Sequence, residues 1–186
     1  MRPVDTETAI IVLAAQISTL QRFVPKSKIM VLAAQGNLAN GYCYLRRYHE
    51  GLRLYREIYA GQVALLGQTH EDTILTGANM ATALSANNCF GEGKQLTREL
   101  LQTARQSLDE RHELSIELAH KLALILTVDP AKSRADLLEA EVLYVDTIKT
   151  ARQALGPLHP QVRGLTSGLA RTRRILASSG PSTGLA

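Results

Sequence analysis

The sequence predicts an all-α chain of stacked helical hairpins, a solenoid, and three observations lead to that prediction. The 186 residues are 45% hydrophobic but only 4% aromatic, with no tryptophan, a composition that favours closely packed helices over sheets. Apolar residues recur three or four positions apart, as on one face of an amphipathic helix. Short sequence markers also recur at nearly constant intervals, which is typical of helical repeat architectures.

Two sequence markers define the repeat interval. A Leu followed four residues later by His recurs at three points that are one repeat apart, and a three-residue marker that ends in Leu-Ala or Met-Ala recurs at four points with the same offsets. Both markers repeat at 42 residues and, at the last step, at 47 residues. The additional residues of the last step fall around Val128–Asp136, where Asp129 and Pro130 indicate a lengthened turn between helices. The first marker occupies 66–70, 108–112 and 155–159, and the second begins at Asn37, Asn79, Lys121 and Gly168.

Each repeat interval contains two amphipathic segments, so each predicted unit is an antiparallel helical hairpin. About three such units are complete. One further helix is predicted before them and one after them, each without a partner of its own, so we expect both to cap the stack. The predicted helices are Thr6–Phe23, Ser27–Leu45, Tyr48–Leu66, His70–Asn87, Gly91–Leu108, His112–Thr127, Ser133–Leu155 and Pro160–Ala177.

The predicted organisation is one repeat domain between two terminal segments. An N-terminal capping helix covers 1–26, the repeat domain covers 27–177, and a flexible tail rich in Ser, Gly and Pro covers 178–186. The repeat domain divides into units at about 27–68, 69–110 and 111–157, followed by a terminal helix at 159–177.

Local signals support three of the predicted helix starts. Thr69 and Ser133 are each followed three residues later by an aspartate, Asp72 and Asp136, which matches the capping-box pattern. Pro160 suits a first helical turn, because the backbone donor that proline lacks would be unpaired there in any case.

The segment Asn37-Leu38-Ala39-Asn40-Gly41-Tyr42 and the linker Leu155-Gly156-Pro157-Leu158-His159-Pro160 resemble the tetratricopeptide repeat of the kinesin light chain type. The resemblance covers about residues 27–177, and Gly51 and Tyr55 occupy its small and aromatic packing positions. Later units depart from the pattern at Leu84, Thr97 and Lys121. The resemblance implies a right-handed α-solenoid whose first helices line a concave surface.

This resemblance also implies a binding site, because first-helix residues near the repeated asparagine would face the concave groove and hold an extended or helical peptide. A carboxamide offers two donors and two acceptor lone pairs, so it suits a peptide backbone. The alternative is that these side chains only bond a neighbouring helix or face solvent. The candidate groove residues are Asn37, Asn40, Asn79, Thr82, His120 and Lys121, with Leu124 beside them.

The basic residues suggest a second candidate surface. The formal net charge is +4, and arginines concentrate at 46–56 and on the terminal helix. On that helix Arg171 and Arg174 are three residues apart and share a face, so Arg163, Arg171 and Arg174 could bind an acidic partner or a phosphate backbone. A solvated helix surface is the alternative, and nucleic acid is the less favoured partner because no base-reading code is visible.

The sequence shows no pattern for a metal, a cofactor or a catalytic centre. His70, His112 and His159 lie one repeat apart, so about 10 Å or more should separate them, whereas zinc ligands lie about 2 Å from the metal. No phosphate-binding or nucleophile motif is present. We therefore expect no cofactor, no metal and no enzymatic activity. Cys43 and Cys89 form no disulfide framework.

These observations predict a non-catalytic scaffold or adaptor that binds a peptide segment of a partner protein. The alternatives are a structural subunit buried in a larger assembly and, less favoured, a basic helical-repeat nucleic-acid binder. No apolar run reaches the ~20 residues of a membrane span and no secretory signal is evident, so we expect a cytoplasmic location. The sequence leaves the partner and the oligomeric state open.

Overall fold

The computed structural model describes residues 3–23 and 28–178, and these residues form eight α-helices and no β-strand. The prediction of an all-α chain of helical hairpins is therefore confirmed. The predicted flexible tail lies outside the described residues, except that Ser178 is the last residue of a helix. The helices are α1 (Pro3–Phe23), α2 (Lys28–Tyr44), α3 (Tyr48–Leu66), α4 (Glu71–Ala86), α5 (Phe90–Ser107), α6 (Glu113–Val128), α7 (Arg134–Leu155) and α8 (Pro160–Ser178).

The helices form two compact units, α1 to α4 and α5 to α8, which divide between Cys89 and Phe90. In the first unit α2 packs against α1 and α3, and α3 packs against α4. In the second unit α6 packs against α5 and α7, and α8 packs against α7 and touches α6. The division falls inside the predicted repeat unit 69–110, and the repeat boundaries themselves stay a prediction.

The first unit depends on a close approach between α2 and α3. Leu38 and Ala39 of α2 are buried with Leu52, Tyr55 and Ile58 of α3. A side chain at Gly51 would place its Cβ 2.5 Å from the Cys43 Sγ and 3.2 Å from the Ala39 carbonyl oxygen. A larger residue at this crossing would have to turn the Cys43 side chain aside and press on the α2 backbone at Ala39.

The second unit is centred on Tyr144 of α7, whose side chain is fully buried. A Cβ at Gly168 of α8 would lie 2.5 Å from the Tyr144 Cζ, so the missing side chain is what lets the ring fit. The buried hydroxyls of Thr127 on α6 and Thr172 on α8 lie 2.9 Å apart and share a hydrogen bond. These contacts fix α6, α7 and α8 to one another.

The lengthened turn between α6 and α7 is held by a lysine from α5. The Lys94 Nζ lies 2.8 Å from an Asp129 carboxylate oxygen and 3.3 Å from the Asp136 Oδ1. Asp129 also accepts a hydrogen bond of 2.8 Å from the Ala131 backbone N–H. Burial lowers the pKa of Lys94, but its hydrogen bonds to the two aspartates outweigh that effect, so the pKa is raised. The additional residues of this interval are therefore tied into the unit.

The predicted starts of α7 and α8 are confirmed, and at α4 the start is correct to one residue but the predicted capping residue is wrong. Pro160 is the first residue of α8. Ser133 caps α7, because its Oγ accepts from the Asp136 N–H at 3.1 Å while Asp136 accepts from the Ser133 N–H at 2.8 Å. At α4 the capping residue is His70, not Thr69: the His70 Nδ1 accepts from the Asp72 N–H at 3.2 Å. The imidazole reaches the first turn from the extended residue next to the helix.

The same contact occurs at each occurrence of the repeated histidine. The Nδ1 of His112 accepts from the Leu114 N–H at 3.3 Å, and the Nδ1 of His159 accepts from the Gln161 N–H at 3.3 Å. Each ring satisfies one of the backbone donors that the first turn of a helix leaves unpaired. The repeated histidine is thus a helix-capping residue at each junction.

Candidate functional site

Three of the predicted groove residues line one pocket in the first unit. Asn37 and Asn40 come from α2 and Asn79 comes from α4, and the pocket between these helices has a volume of about 210 Å³. Asn37 and Asn79 lie at the same position of successive repeats, so the helical hairpin brings them to the same side of the unit. We call this pocket the α2–α4 groove.

The α2–α4 groove has an apolar floor and an apolar mouth. Leu32, Ile58 and Leu66 lie along it. Ile29 and Leu75 also line it, and they keep 53% and 42% of their surface exposed. Large aliphatic side chains that remain exposed beside a pocket are typical of a surface that contacts another molecule.

The asparagines of this groove differ in their hydrogen bonding. Neither Asn37 nor Asn79 has a hydrogen-bond partner among the described residues, so both carboxamides are free to bind a ligand. Asn40 instead accepts a hydrogen bond from the Tyr55 hydroxyl of α3. Burial raises the pKa of Tyr55, and the nearby Cys43 adds to the effect. Asn40 therefore serves the packing of α2 on α3, which is the alternative role considered for these residues.

Gln62 of α3 is a groove residue that the sequence analysis missed. It lines the α2–α4 groove, its residue is only 9% exposed, and its Oε1 has no hydrogen-bond partner in the described chain. An unsatisfied buried acceptor costs about 1–3 kcal/mol. The signal was available, because Gln62 interrupts the apolar stripe of α3 between Ile58 and Leu65.

The remaining candidates lie outside this groove. Thr82 is exposed on α4, donates to the Ala78 carbonyl at 3.0 Å and does not line the pocket. Lys121, on α6 in the second unit, pairs with Glu117 at 3.1 Å, and Leu124 is 42% exposed on the same helix.

His120, also on α6, packs inside the second unit. Its ring contacts Tyr144 edge to face at 6.1 Å between centroids. Its Cε1 lies 3.1 Å from where a Cβ at Gly164 would be. Burial lowers the pKa of His120, Lys121 lowers it further, and Glu117 partly opposes the shift. Its surroundings are those of a packed side chain.

The candidate basic patch lies on α8. Arg163, Arg171 and Arg174 are all exposed there, and their role as a patch for an acidic partner stays a prediction. A fourth arginine of this helix, Arg173, donates to the Glu141 Oε1 of α7 at 2.6 Å. In the first unit, the Arg47 guanidinium lies 4.7 Å from the centre of the Tyr42 ring and pairs with Glu50 at 2.8 Å, so Arg47 is used within that unit.

Ionisable groups are sparse at the described surface pockets of the first unit. Asp72 is the one titratable side chain among the described residues that line the α2–α4 groove. Within the described ranges no group of three His, Cys, Asp or Glu residues is placed to hold a metal. None of the described helices is long and apolar enough to span a membrane. The groove therefore offers hydrogen bonds and apolar contact.

Comparison with known proteins finds similarity to repeat proteins. A family model described as tetratricopeptide repeat matches residues 31–72, which include most of α2, all of α3 and the start of α4. The tetratricopeptide repeat generally mediates protein–protein interaction. No curated protein sequence matches the chain.

Solved structures share the fold over nearly the whole chain. A crystal structure of a Podosopora anserina kinesin light chain-type protein with nearly identical TPR-like repeats is 20% identical, with a TM-score of 0.77 over 94% of this chain and 80% of that one. A point variant of that protein gives a TM-score of 0.78 at the same identity and coverage. BtubC (BKLC) from P. vanneervenii is 14% identical, with a TM-score of 0.62 over 94% of this chain and 74% of its own. The resemblance to kinesin light chain-like repeat proteins, and the solenoid fold class, are confirmed.

Proposed function

We propose that this chain is a non-catalytic scaffold or adaptor whose α2–α4 groove holds a peptide segment of a partner protein. The observation that carries the proposal is the pair of free carboxamides, Asn37 and Asn79, on two helices that line one apolar pocket. A groove that combines free carboxamides with an apolar lining suits a ligand that has a polar backbone and apolar side chains. A peptide is such a ligand.

The polar and the aliphatic residues of the groove would contact different parts of the peptide. The carboxamides of Asn37 and Asn79 would donate to and accept from the peptide backbone, which makes binding tolerant of the peptide sequence. The aliphatic mouth at Ile29 and Leu75 would cover one side chain of the peptide and remove it from water. Because both polar side chains are uncharged, binding should depend little on salt.

The chemistry of the groove supports binding without catalysis. Its lining is mainly aliphatic and carboxamide, with Thr76 and Asp72 as the other polar residues, and the Asp72 carboxylate is the one basic group among the described lining residues. We also propose a cytoplasmic location, which the free thiols of Cys43 and Cys89 support because reducing compartments keep cysteines unpaired.

The test is affinity for peptides selected from a random library displayed on phage. The wild-type protein is used for selection, and the dissociation constants of the selected peptides are then measured for Asn37→Ala combined with Asn79→Ala. Each lost hydrogen-bonding side chain should cost about 1 kcal/mol, so binding should weaken about 30-fold. Thr82→Ala is the matched control, because Thr82 is exposed on α4 outside the groove, and it should change affinity by less than about twofold. Equal affinity for the double variant and the wild type would refute the groove.

A further inference from the structure

A second surface with its own chemistry lies in the second unit, between α7 and α8. The pocket there has a volume of about 560 Å³. We call it the α7–α8 groove, and its proposed contact residues are Val145, Lys149 and Arg152 of α7 with Thr166, Leu169 and Arg173 of α8.

The charge of the α7–α8 groove is positive and largely uncompensated. Lys149, Arg152 and Arg173 line it, and no acidic residue occurs among its described lining residues. Lys149 and Arg152 have no ionic or hydrogen-bond partner in the described part of the chain. Arg173 pairs with Glu141 but keeps 57% of its side chain exposed. An anionic ligand would therefore meet three accessible cations.

These cations lie at the two ends of the groove, with aliphatic side chains between them. The ion pair places Arg173 beside Glu141, and Arg152 lies three turns further along α7, at about 16 Å for a rise of 1.5 Å per residue. Val145, which is 43% exposed, and Ile148 lie within that distance, and Leu169 faces the same groove from α8. The pattern is a cation, an apolar stretch, and two more cations.

A comparison of α8 with α6, which lies one repeat interval earlier, indicates that a helix fits the groove. Thr166 and Leu169 of α8 stand 47 residues after Ala119 and Leu122 of α6. Both α6 residues are buried, and each lines a pocket to which α7 contributes. On α6 this face is covered by the helix that follows it. A helix laid in the α7–α8 groove would take the corresponding place on α8.

The residues that differ between equivalent positions of α6 and α8 indicate the chemistry of the helix that would lie in the α7–α8 groove. Where α6 has the buried Leu126, α8 has Arg173, and where α6 has Ala119, α8 has Thr166. A purely apolar partner helix would remove water from Lys149 and Arg152, which have no counter-ion among the described residues, and from Arg173, whose counter-ion is Glu141. Burying the first two charges unpaired is costly. A helix with carboxylates at these points would pair with them.

We propose that the α7–α8 groove binds an amphipathic helix of a partner protein, with aliphatic residues at the centre of one face and acidic residues at both ends of that face. A distance of about 16 Å corresponds to acidic residues about three turns apart. Residues 179–186 of this chain contain no Asp or Glu, so they do not supply these charges.

The test uses a synthetic probe: a fluorescein-labelled, alanine-rich peptide of about 18 residues, long enough for five helical turns, with two central leucines and a pair of glutamates at each end of the same face. Its affinity is measured by fluorescence anisotropy with the full chain. Lys149→Glu combined with Arg152→Glu should weaken binding at least about tenfold, because close charge pairs then become repulsive. A second probe with lysines in place of the glutamates should bind this variant better than it binds the wild type.

The matched control carries the same change of charge on the candidate basic patch, at two exposed α8 arginines that do not line the groove. Arg163→Glu combined with Arg174→Glu should change probe affinity by less than about threefold, since only long-range screened charge is altered. Thermal unfolding followed by circular dichroism checks that both variants are folded. Asn37→Ala with Asn79→Ala should leave probe affinity unchanged. Binding at the α7–α8 groove and binding at the α2–α4 groove are therefore tested by different variants.

Four results would overturn the proposal. The first is failure of the glutamate probe to bind the wild type more tightly than a matched probe with glutamines. The second is an equal loss of binding in the control variant, which would place the contact at the candidate basic patch. The third is tighter binding of a labelled oligothymidine than of the peptide, if that binding is lost when Lys149 and Arg152 are replaced by glutamate. The fourth is a wild-type dimer in sedimentation experiments that becomes a monomer in the same variant, because a second copy would then occupy the groove.

Discussion

Replacing Lys94 with methionine tests the cluster that ties α5 to the turn between α6 and α7. Methionine keeps the length and most of the volume of the side chain but removes the charge. The two carboxylates, Asp129 and Asp136, then lose the cation that lies 2.8 and 3.3 Å from them. The substitution should destabilise the second unit without enlarging a cavity.

The expected size of the effect follows from the exposure of the three side chains. They are 13%, 10% and 20% exposed, so the cluster is nearly buried but close to the surface. Removing one partner of a fully buried ion pair costs about 3–5 kcal/mol, and an exposed pair contributes at most about 1 kcal/mol. An intermediate cost of about 2 kcal/mol lowers the Tm by about 4–8 °C in a chain of this length. Thermal and urea unfolding at neutral pH, followed by circular dichroism, measure both quantities.

The pH dependence supplies a second readout of the same cluster. The hydrogen bond from Lys94 is the main cause that lowers the pKa of Asp129, and the backbone hydrogen bond from Ser133 is the main cause for Asp136. Their stabilisation is complete above the unfolded pKa of about 3.9 and is lost as the pH falls through the lower folded value. The difference in unfolding free energy between wild type and K94M should therefore narrow below about pH 4.

A matched control separates the cluster from a general loss of charge. Lys149→Met removes an exposed lysine of the same unit that has no partner among the described residues, and it should change stability by at most about 0.5 kcal/mol. If K94M is as stable as this control, the cluster does not hold the turn and the argument from burial is wrong.

Two further predictions concern the core of the second unit. Gly168→Ala should lower the unfolding free energy by about 1–3 kcal/mol, because the new methyl group overlaps the buried ring of Tyr144. The control is Gly91→Ala, where a Cβ meets nothing within 4 Å. Equal urea midpoints for the two variants would contradict the packing argument. Because burial and Lys121 lower the folded pKa of His120, the unfolded chain binds the proton first, so stability should fall as the pH drops below about 6.5. His120→Gln should reduce that fall in urea titrations between about pH 7 and pH 5, and an unchanged slope would show that this ring does not titrate differently on folding.

Most of the helical structure could be predicted because it follows from local sequence. Amphipathic spacing and the repeat interval placed each helix to within a few residues, and Ser133 caps α7 as its spacing with Asp136 predicts. At α4 the sequence predicts Thr69 as the capping residue, because capping preferences favour Ser, Thr, Asp and Asn. The actual cap, His70, could be found only from the position of its ring relative to the first turn.

The candidate site was only partly predictable, since it depends on contacts between helices. The repeat interval brought Asn37 and Asn79 to one side of a unit, and the structure places both in one pocket. The hydrogen bond from Tyr55 to Asn40 joins two helices, and no single-helix pattern reveals it. The packing of His120 on Tyr144 depends in the same way on how α6 meets α7.

The histidine caps determine which tautomer the imidazole rings adopt. A neutral imidazole carries one N–H, and the nitrogen that accepts a hydrogen bond cannot carry it. At His70, His112 and His159 the accepting atom is Nδ1, so the proton resides on Nε2 at all three repeat junctions. At each junction the cap thus gives the two nitrogens of the neutral ring different roles, with Nδ1 as the acceptor and Nε2 as the donor.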